Sequence, residues 1–256
     1  MSLRAPWFFC CLLILSGCST ASAEPVALFD QAHGQAFLVE KNGPLDLSGL
    51  AGVFAEQGAL VRTSSAKISA TTLTNIDILI ISGPFAPIED EEIKAIIKFI
   101  EQGGRLAVMV HIGPPVIKLL MHLGVSISSA AVYEQNYIID GNPLDFMVPD
   151  LASHPLTNGL DGFNVYGSWA LLGNKEHVES VARTSKDSWV DLNRNKILNE
   201  KDAKQSFSLV VAGGLGHGQF AVFGDDAIFQ NRFLKGGNLL LGRNLARWFC
   251  STPQLI

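Results

Sequence analysis

Asp77-Ile78-Leu79-Ile80-Ile81-Ser82-Gly83-Pro84 is the stretch whose reading decides the fold. A continuous apolar run stopped by a Gly-Pro turn is what a central parallel strand, covered on both faces, requires. Glu89 to Gln102 comes next, with Ile93, Ile96, Ile97 and Ile100 on one face. That spacing predicts a helix with a single apolar stripe and with acids in its first turn, where the helix dipole favours them. Gly103-Gly104 ends the helix, and Arg105-Leu106-Ala107-Val108-Met109-Val110 reads as the following strand.

The same alternation extends outward. Val26-Ala27-Leu28-Phe29 reads as a buried strand ending at Asp30, residues 47–57 as a helix stopping at Gly58, and Ala59-Leu60-Val61-Arg62 as another strand. Residues 115–123 make a short helix. Strands and helices alternating at this spacing imply βαβ units with right-handed crossovers, hence an α/β fold with a mainly parallel central sheet. The second half is less regular. Residues 132–139 and 178–183 read as strands, 207–212 and 218–223 as a strand pair around Gly213-Gly214-Leu215-Gly216-His217-Gly218, and Gly237 to Phe249 as a closing helix. That glycine run lacks a following helix and a downstream acid for a ribose, so it predicts a tight strand connection and not a dinucleotide site.

The N-terminus carries a different signal. Arg4 precedes an apolar run from Ala5 to Leu15 that is too short to span a bilayer, and small residues follow. This is the layout of a secretory signal. Leu15-Ser16-Gly17-Cys18 resembles the lipobox of bacterial lipoproteins. The resemblance implies a signal peptide over 1–17, acylation of Cys18 and a tether over 18–25 before a domain at 26–256. Several acyl chains would hold such a protein on a membrane without a spanning helix. Ser19 implies, by resemblance to Gram-negative lipoproteins, an outer-membrane anchor facing the periplasm. The alternative is a plain signal peptide cut near Ala21-Ser22-Ala23, with Cys18 discarded.

Composition narrows the partners. The chain has 256 residues, a formal charge of −5 and 48% hydrophobic residues. No basic cluster stands out, which argues against nucleic acid and anionic lipid. Of the four cysteines, Cys10 and Cys11 lie in the signal and Cys18 is the lipid acceptor, so Cys250 is left as a packed thiol. An exported domain built this way relies on its core and not on a disulfide.

Several segments taken in order resemble one family: Phe29-Asp30-Gln31-Ala32-His33-Gly34-Gln35, Asp77 to Pro84, Glu91 to Met109, His154-Pro155-Leu156-Thr157-Asn158-Gly159, and Gly216-His217-Gly218-Gln219 to Gly224-Asp225. Together they resemble the DUF4350 and GIFT-type domains, relatives of the gliding-motility GldG protein, the intraflagellar-transport 52 protein and an oligosaccharyltransferase subunit. The resemblance implies a flavodoxin-like, class I glutamine-amidotransferase-like three-layer sandwich. It also implies a domain without known catalysis, for which polysaccharide binding is the suggested role.

Catalytic amidotransferases of this architecture need a thiolate at a sharp strand-to-helix turn. The corresponding turn here reads His111-Ile112-Gly113-Pro114-Pro115, with no Cys or Ser. The carboxyl ends of the strands, where parallel sheets bind ligands, carry Asp30, His33, Gly83, Pro84 and His111. These are the candidate ligand residues. Asp30 and His33 admit a second reading, as residues that hydrogen-bond the loop. A metal held by Asp30, His33 and His111 would support a metal-assisted hydrolase instead. Tyr133, Tyr137, Tyr166, Trp169 and Trp189 offer stacking faces for a sugar or simply pack the core.

One further signal is Asp191-Leu192-Asn193-Arg194-Asn195-Lys196-Ile197-Leu198-Asn199-Glu200-Lys201-Asp202. Asp191, Asn193, Asn195, Asn199 and Asp202, with the carbonyl of Ile197, match the oxygen spacing of an EF-hand-type calcium loop. Lys196 stands where glycine is usual and Asp202 where glutamate is usual. The alternative is an Asn/Asp-rich turn that keeps its shape without Ca2+. The expectation drawn from all of this is a membrane-anchored, non-catalytic binding or scaffold domain, glycan-binding or accessory to an ABC-type transport system of the envelope.

Overall fold

The computed structural model describes residues 24–251. The expected signal peptide at 1–17, the lipid acceptor Cys18 and most of the 18–25 tether lie outside the described residues. Among the described residues no helix is long and apolar enough to cross a membrane.

The first half follows the βα alternation. Its elements are β1 (Val26–Asp30), α1 (Ser48–Glu56), β2 (Leu60–Ser64), β3 (Ile78–Ser82), α2 (Asp90–Glu101), β4 (Arg105–Met109) and α3 (Ile117–Leu123). All five residues of β3 and all five of β4 are buried. Side chains alternate across a strand, so each of these strands feeds two cores. Leu79, Ile81, Leu106 and Val108 join Ile93, Ile96 and Ile100 of α2 and Leu119, Leu120 and Leu123 of α3 in one hydrophobic cluster. Ile78, Ile80, Ala107 and Met109 join Leu50, Val53 and Phe54 of α1 in the other, with Leu241, Leu245 and Phe249 of the closing helix α4 (Gly237–Cys250). Helix α2 begins with a capping box, in which the Glu92 carboxylate accepts the Glu89 N–H at 3.1 Å.

The second half is strand-rich: β5 (Val125–Tyr133), β6 (Ile138–Ile139), β7 (Asn142–Val148), β8 (Asp150–Leu151), β9 (Phe163–Tyr166), β10 (Trp169–Gly173), β11 (Val178–Arg183), β12 (Trp189–Val190), β13 (Ala203–Lys204), β14 (Ser208–Leu215) and β15 (Gly218–Phe223). The large sheet runs β13-β12-β5-β10-β14-β15-β4-β3-β1-β2, with β11 and β8 attached through β14. Strands β2, β1, β3, β4 and β15 pair in parallel. From β15 outward through β14, β10, β5, β12 and β13 every pair is antiparallel. The architecture is therefore a mixed α/β sheet: a mainly parallel sheet was the expectation, and the parallel pairing is confined to these five strands. Strands β6, β7 and β9 form a separate antiparallel sheet.

The expected strand 132–139 is interrupted. The buried Glu134 carboxylate accepts the N–H groups of Gln135, Asn136 and Ser185 at 2.8, 3.0 and 3.1 Å, which turns the chain between β5 and β6. A side chain that satisfies backbone donors in this way competes with the sheet ladder.

The β14–β15 hairpin meets the end of α2 at Gly218. A Cβ added there would stand 2.1 Å from the Ile100 carbonyl oxygen and 2.2 Å from that of Gly104. Gly218→Ala is therefore expected to destabilise the domain by more than ~2 kcal/mol in urea unfolding. Gly52→Ala on α1, where an added Cβ meets nothing within 4 Å, is the control expected to be neutral or stabilising. Equal midpoints for the two variants would refute the packing argument.

Candidate functional site

Because β1, β3, β4 and β15 run parallel, their carboxyl ends share one edge of the sheet. That edge presents Asp30 from β1, Gly83-Pro84 after β3, His111 after β4, and Asp225-Asp226 after β15. The structure divides the expected ligand residues into two groups with different chemistry.

The first group is closed. His33 Nδ1 lies 2.7 Å from Asp30 Oδ2 and its Nε2 lies 3.2 Å from Glu92 Oε1. Asp30 Oδ1 accepts the Ala32 N–H at 3.1 Å, and Gln35 donates to Asp30 Oδ2. Glu92 Oε1 also accepts the Ile68 N–H at 2.8 Å. The His33 carbonyl accepts the N–H groups of Phe85 and Ala86 at 2.9 and 2.8 Å. Asp30, His33 and Glu92 are all buried, at 5%, 3% and 3% exposure. Each hydrogen-bonding atom already has a partner, so Asp30 and His33 form a clip that ties the loops after β1 and β3 to the start of α2. They are not an open ligand surface. Burial pulls the His33 pKa down, but Asp30 and Glu92 outweigh it and hold it above 6.5. Burial raises Glu92, yet the N–H groups of Glu89 and Ile68, together with His33, hold its pKa below 4.5. The metal set Asp30, His33 and His111 is not assembled, because His33 is committed to Glu92 and His111 to another carboxylate. Among the described residues no three His, Cys, Asp or Glu side chains converge as a metal site.

The second group is open. His111 Nδ1 lies 3.0 Å from Asp226 Oδ1, with the imidazole 35% exposed and the carboxylate 3% exposed. The Trp169 indole N–H donates to the His111 carbonyl at 3.0 Å and steadies the turn. The rings of Phe37 and Phe85 lie 5.6 and 5.0 Å from the imidazole. Asp226 Oδ2 is buried and has no partner among the described residues. It faces Gly83, where φ is +56° and a Cβ would stand 2.5 Å from that oxygen. Gly83 thus serves the site by having no side chain, and Pro84 beside it is buried. Asp225 accepts the N–H groups of Tyr166 and Ala227 at 2.6 and 2.8 Å. Burial and then the neighbouring Asp226 push its pKa up to about 8. The hydrogen bond to Asp226 raises the His111 pKa above 6.5 against the opposing effect of burial. The arrangement can donate and accept hydrogen bonds and hold a proton, and it contains no nucleophile at the β4–α3 corner.

The sequence reading passed over Asp225, Asp226 and Glu92 as site residues. The signal for the first two was present: a Gly-Asp-Asp run directly after the apolar strand 218–223, at the same edge as the other strand ends. Glu92 was legible only as a first-turn helix acid.

The 191–202 loop closes on itself. Asp191 accepts the N–H groups of Asn195 and Lys196 at 3.2 and 2.7 Å, Asn195 Oδ1 that of Ile197 at 2.8 Å, and Asp202 those of Leu192 and Asn199 at 3.1 and 2.9 Å. Asn199 Nδ2 donates to the Ile197 carbonyl at 2.6 Å, and Asn193 Oδ1 accepts the Asn195 N–H at 3.1 Å. Arg194 and Lys196 adopt φ of +60° and +59°. The oxygens aligned by sequence spacing thus answer backbone and side-chain donors of the same loop.

The expected aromatic faces are mostly packed. Tyr133 stacks on Trp189 at 4.5 Å and Tyr166 on Phe233 at 3.8 Å, whereas Tyr137 is 52% exposed. Cys250 is a half-buried free thiol whose pKa burial raises.

The His33 clip has a defined pH window. A raised histidine pKa contributes stability that is complete below 6.5 and is lost as pH rises through its folded value. A depressed glutamate pKa contributes stability that is complete above 4.5 and is lost as pH falls through its folded value. The stability difference between wild type and His33→Gln, measured by denaturant unfolding, is expected to peak near pH ~5.5 and to shrink on both sides. A difference that is constant from acid to alkaline pH would show that His33 carries no charge in the clip.

Among solved structures, the mmIFT52 N-terminal domain is similar over 90% of this chain and 100% of its own, at 16% identity and a TM-score of 0.70. A thua-like protein from Bacteroides uniformis covers 91% of this chain and 94% of its own, at 14% identity and a TM-score of 0.52. The cytoplasmic protein STM1381 from Salmonella typhimurium covers 89% and 100%, at 13% identity and a TM-score of 0.54. At such identities the likeness is one of fold, and it fits a flavodoxin-like core. No curated protein matches the sequence. The family model described as "Domain of unknown function (DUF4350)" matches residues 40–246, a span that runs from before α1 into α4 and includes His111, Asp225 and Asp226, and the chain belongs to the DUF4350 family.

Proposed function

We propose that this protein is a lipid-anchored, non-catalytic binding domain of the bacterial envelope, and that His111, Asp226, Phe37 and Phe85 receive a hydroxyl-rich ligand, a glycan. One observation carries the reading: a part-exposed imidazole, backed by a buried carboxylate, sits against two aromatic rings at the carboxyl edge of the parallel strands. A sugar offers C–H faces for rings and hydroxyls for an imidazole–carboxylate pair, and such a mixed apolar and polar surface suits it. Phe85 is 43% exposed, so its ring is free to take part. The absence of Cys or Ser from His111 to Pro115 favours binding over covalent catalysis.

The anchor rests on Leu15-Ser16-Gly17-Cys18, with Ser19 favouring an outer-membrane, periplasm-facing location. The finer fold reading, a three-layer sandwich of the GIFT and class I glutamine-amidotransferase kind, is supported by two hydrophobic clusters fed by alternate residues of β3 and β4.

Two measurements test the proposal. On a glycan array, His111→Ala and Phe85→Ala are expected to weaken binding by tenfold or more, a loss of ~1.4 kcal/mol, with unchanged near-ultraviolet circular dichroism. No retained glycan on the array, or equal retention by the folded variants, would overturn the ligand reading. For the anchor, cells fed an alkyne fatty acid are expected to label the wild type and not Cys18→Ala, and the variant is expected to leave the membrane fraction. Unlabelled wild type would overturn the lipoprotein reading.

A further inference from the structure

A cavity lies where the antiparallel half of the sheet forks. Ser208 of β14 is the cross-strand partner of both Leu171 of β10 and Arg183 of β11. Strand β10 makes only that one ladder pair with β14, and its register against β5 shifts between Trp169 and Leu171. Strands that part in this way cannot fill the space between them with one another's side chains. The result is a cavity of about 420 Å³, a volume within the range of small-molecule sites.

The hydroxyls around this cavity are already satisfied by the protein. Ser128 donates to the Ala130 carbonyl at 2.6 Å and accepts the Ala170 N–H at 3.0 Å. Ser126 accepts from Asn174 at 2.6 Å, Ser206 donates to the Thr184 carbonyl at 2.9 Å, and Ser208 is paired with Ser180 at 2.6 Å. Arg183 differs. Salt bridges among the described residues run from His33, Lys94, His111, Lys118, His154, Lys204 and Arg243, and Arg183 is in none of them. Asp150 is its cross-strand partner on β8, yet the two side chains make no ion pair. Arg183 is also the one charged residue that lines the cavity among the described residues. Apart from these serines and the amide of Gln205, the lining is apolar, from Ile127, Ala170, Leu171, Leu172 and Phe207, and Leu172 is 61% exposed.

We propose that this cavity is a binding site for a small amphiphile with a carboxylate head and an aliphatic body, the head on the Arg183 guanidinium and the chain along Leu172 and Phe207. A planar guanidinium fork matches a carboxylate bidentately, and a free one beside apolar wall selects that pairing of head and body. The proposal does not rest on the glycan reading.

The test uses decanoate and 1-decanol as probes in isothermal titration calorimetry with the purified domain. Decanoate is expected to bind the wild type, 1-decanol at least tenfold more weakly, and Arg183→Gln is expected to lose tenfold or more of the decanoate affinity. Arg183→Lys is expected to recover part of that loss, since it restores the charge without the fork. Arg183 is exposed, and unchanged melting temperatures of both variants keep the comparison within folded protein. No decanoate binding to wild type, equal affinity for decanoate and 1-decanol, or wild-type affinity in Arg183→Gln would each overturn the proposal.

Discussion

The structure depends on the burial of two adjacent strands on both faces. Ile78 to Ile81 and Leu106 to Met109 are at 0% exposure throughout. A strand with apolar residues at every position has no face that water can wet, so helices must cover both sides of it. That single demand places α2 and α3 against one set of alternate side chains and α1 and α4 against the other. Helical crossovers through α1 and α2 make β1–β2 and β3–β4 parallel, and parallel pairing brings the strand ends to one edge.

At that edge, stability and recognition are divided between two histidines. His33 is enclosed by Asp30 and Glu92 and holds loops to the start of a helix, so its charge serves the fold. His111 has one carboxylate behind it and solvent in front. Behind His111 the adjacent carboxyls Asp225 and Asp226 are both buried, at 3% and 2% exposure. Two buried carboxyls side by side cannot both ionise without strong repulsion, and Asp225 is the one held toward its neutral form. Asp226 is left as the partner of His111, with its second oxygen facing the bare Cα of Gly83. The imidazole is thus given a fixed direction by a group that has little alternative.

The antiparallel half answers a different constraint. Strand β15 returns in parallel beside β4, and β14 must then run against it because the two are joined by a tight hairpin through Gly216 and His217. Beyond β14 the sheet splits toward β10 and β11, and the arm of β5, β12 and β13 extends from there. Polar side chains also shape this region. Glu134 turns β5 toward β6, and Thr184 and Ser188 are paired with each other in the segment between β11 and β12.

The amino-acid sequence by itself determined the parallel half. The apolar runs at 77–82 and 105–110, the Ile93/Ile96/Ile100 stripe and the stops at Gly58 and Gly103 are local patterns, and local patterns carry the periods of strand and helix. It also brought Asp30, His33, Gly83 and His111 to the right edge, because strand ends are local features too. Only the tertiary structure decided which histidine is closed and which is open. Glu92 reaches His33 across 59 positions of chain and Asp226 reaches His111 across 115, and no periodicity encodes such pairs. The antiparallel strands β7, β9 and β10 escaped the reading for the same reason, since short half-exposed strands acquire their identity from the neighbours that pair with them.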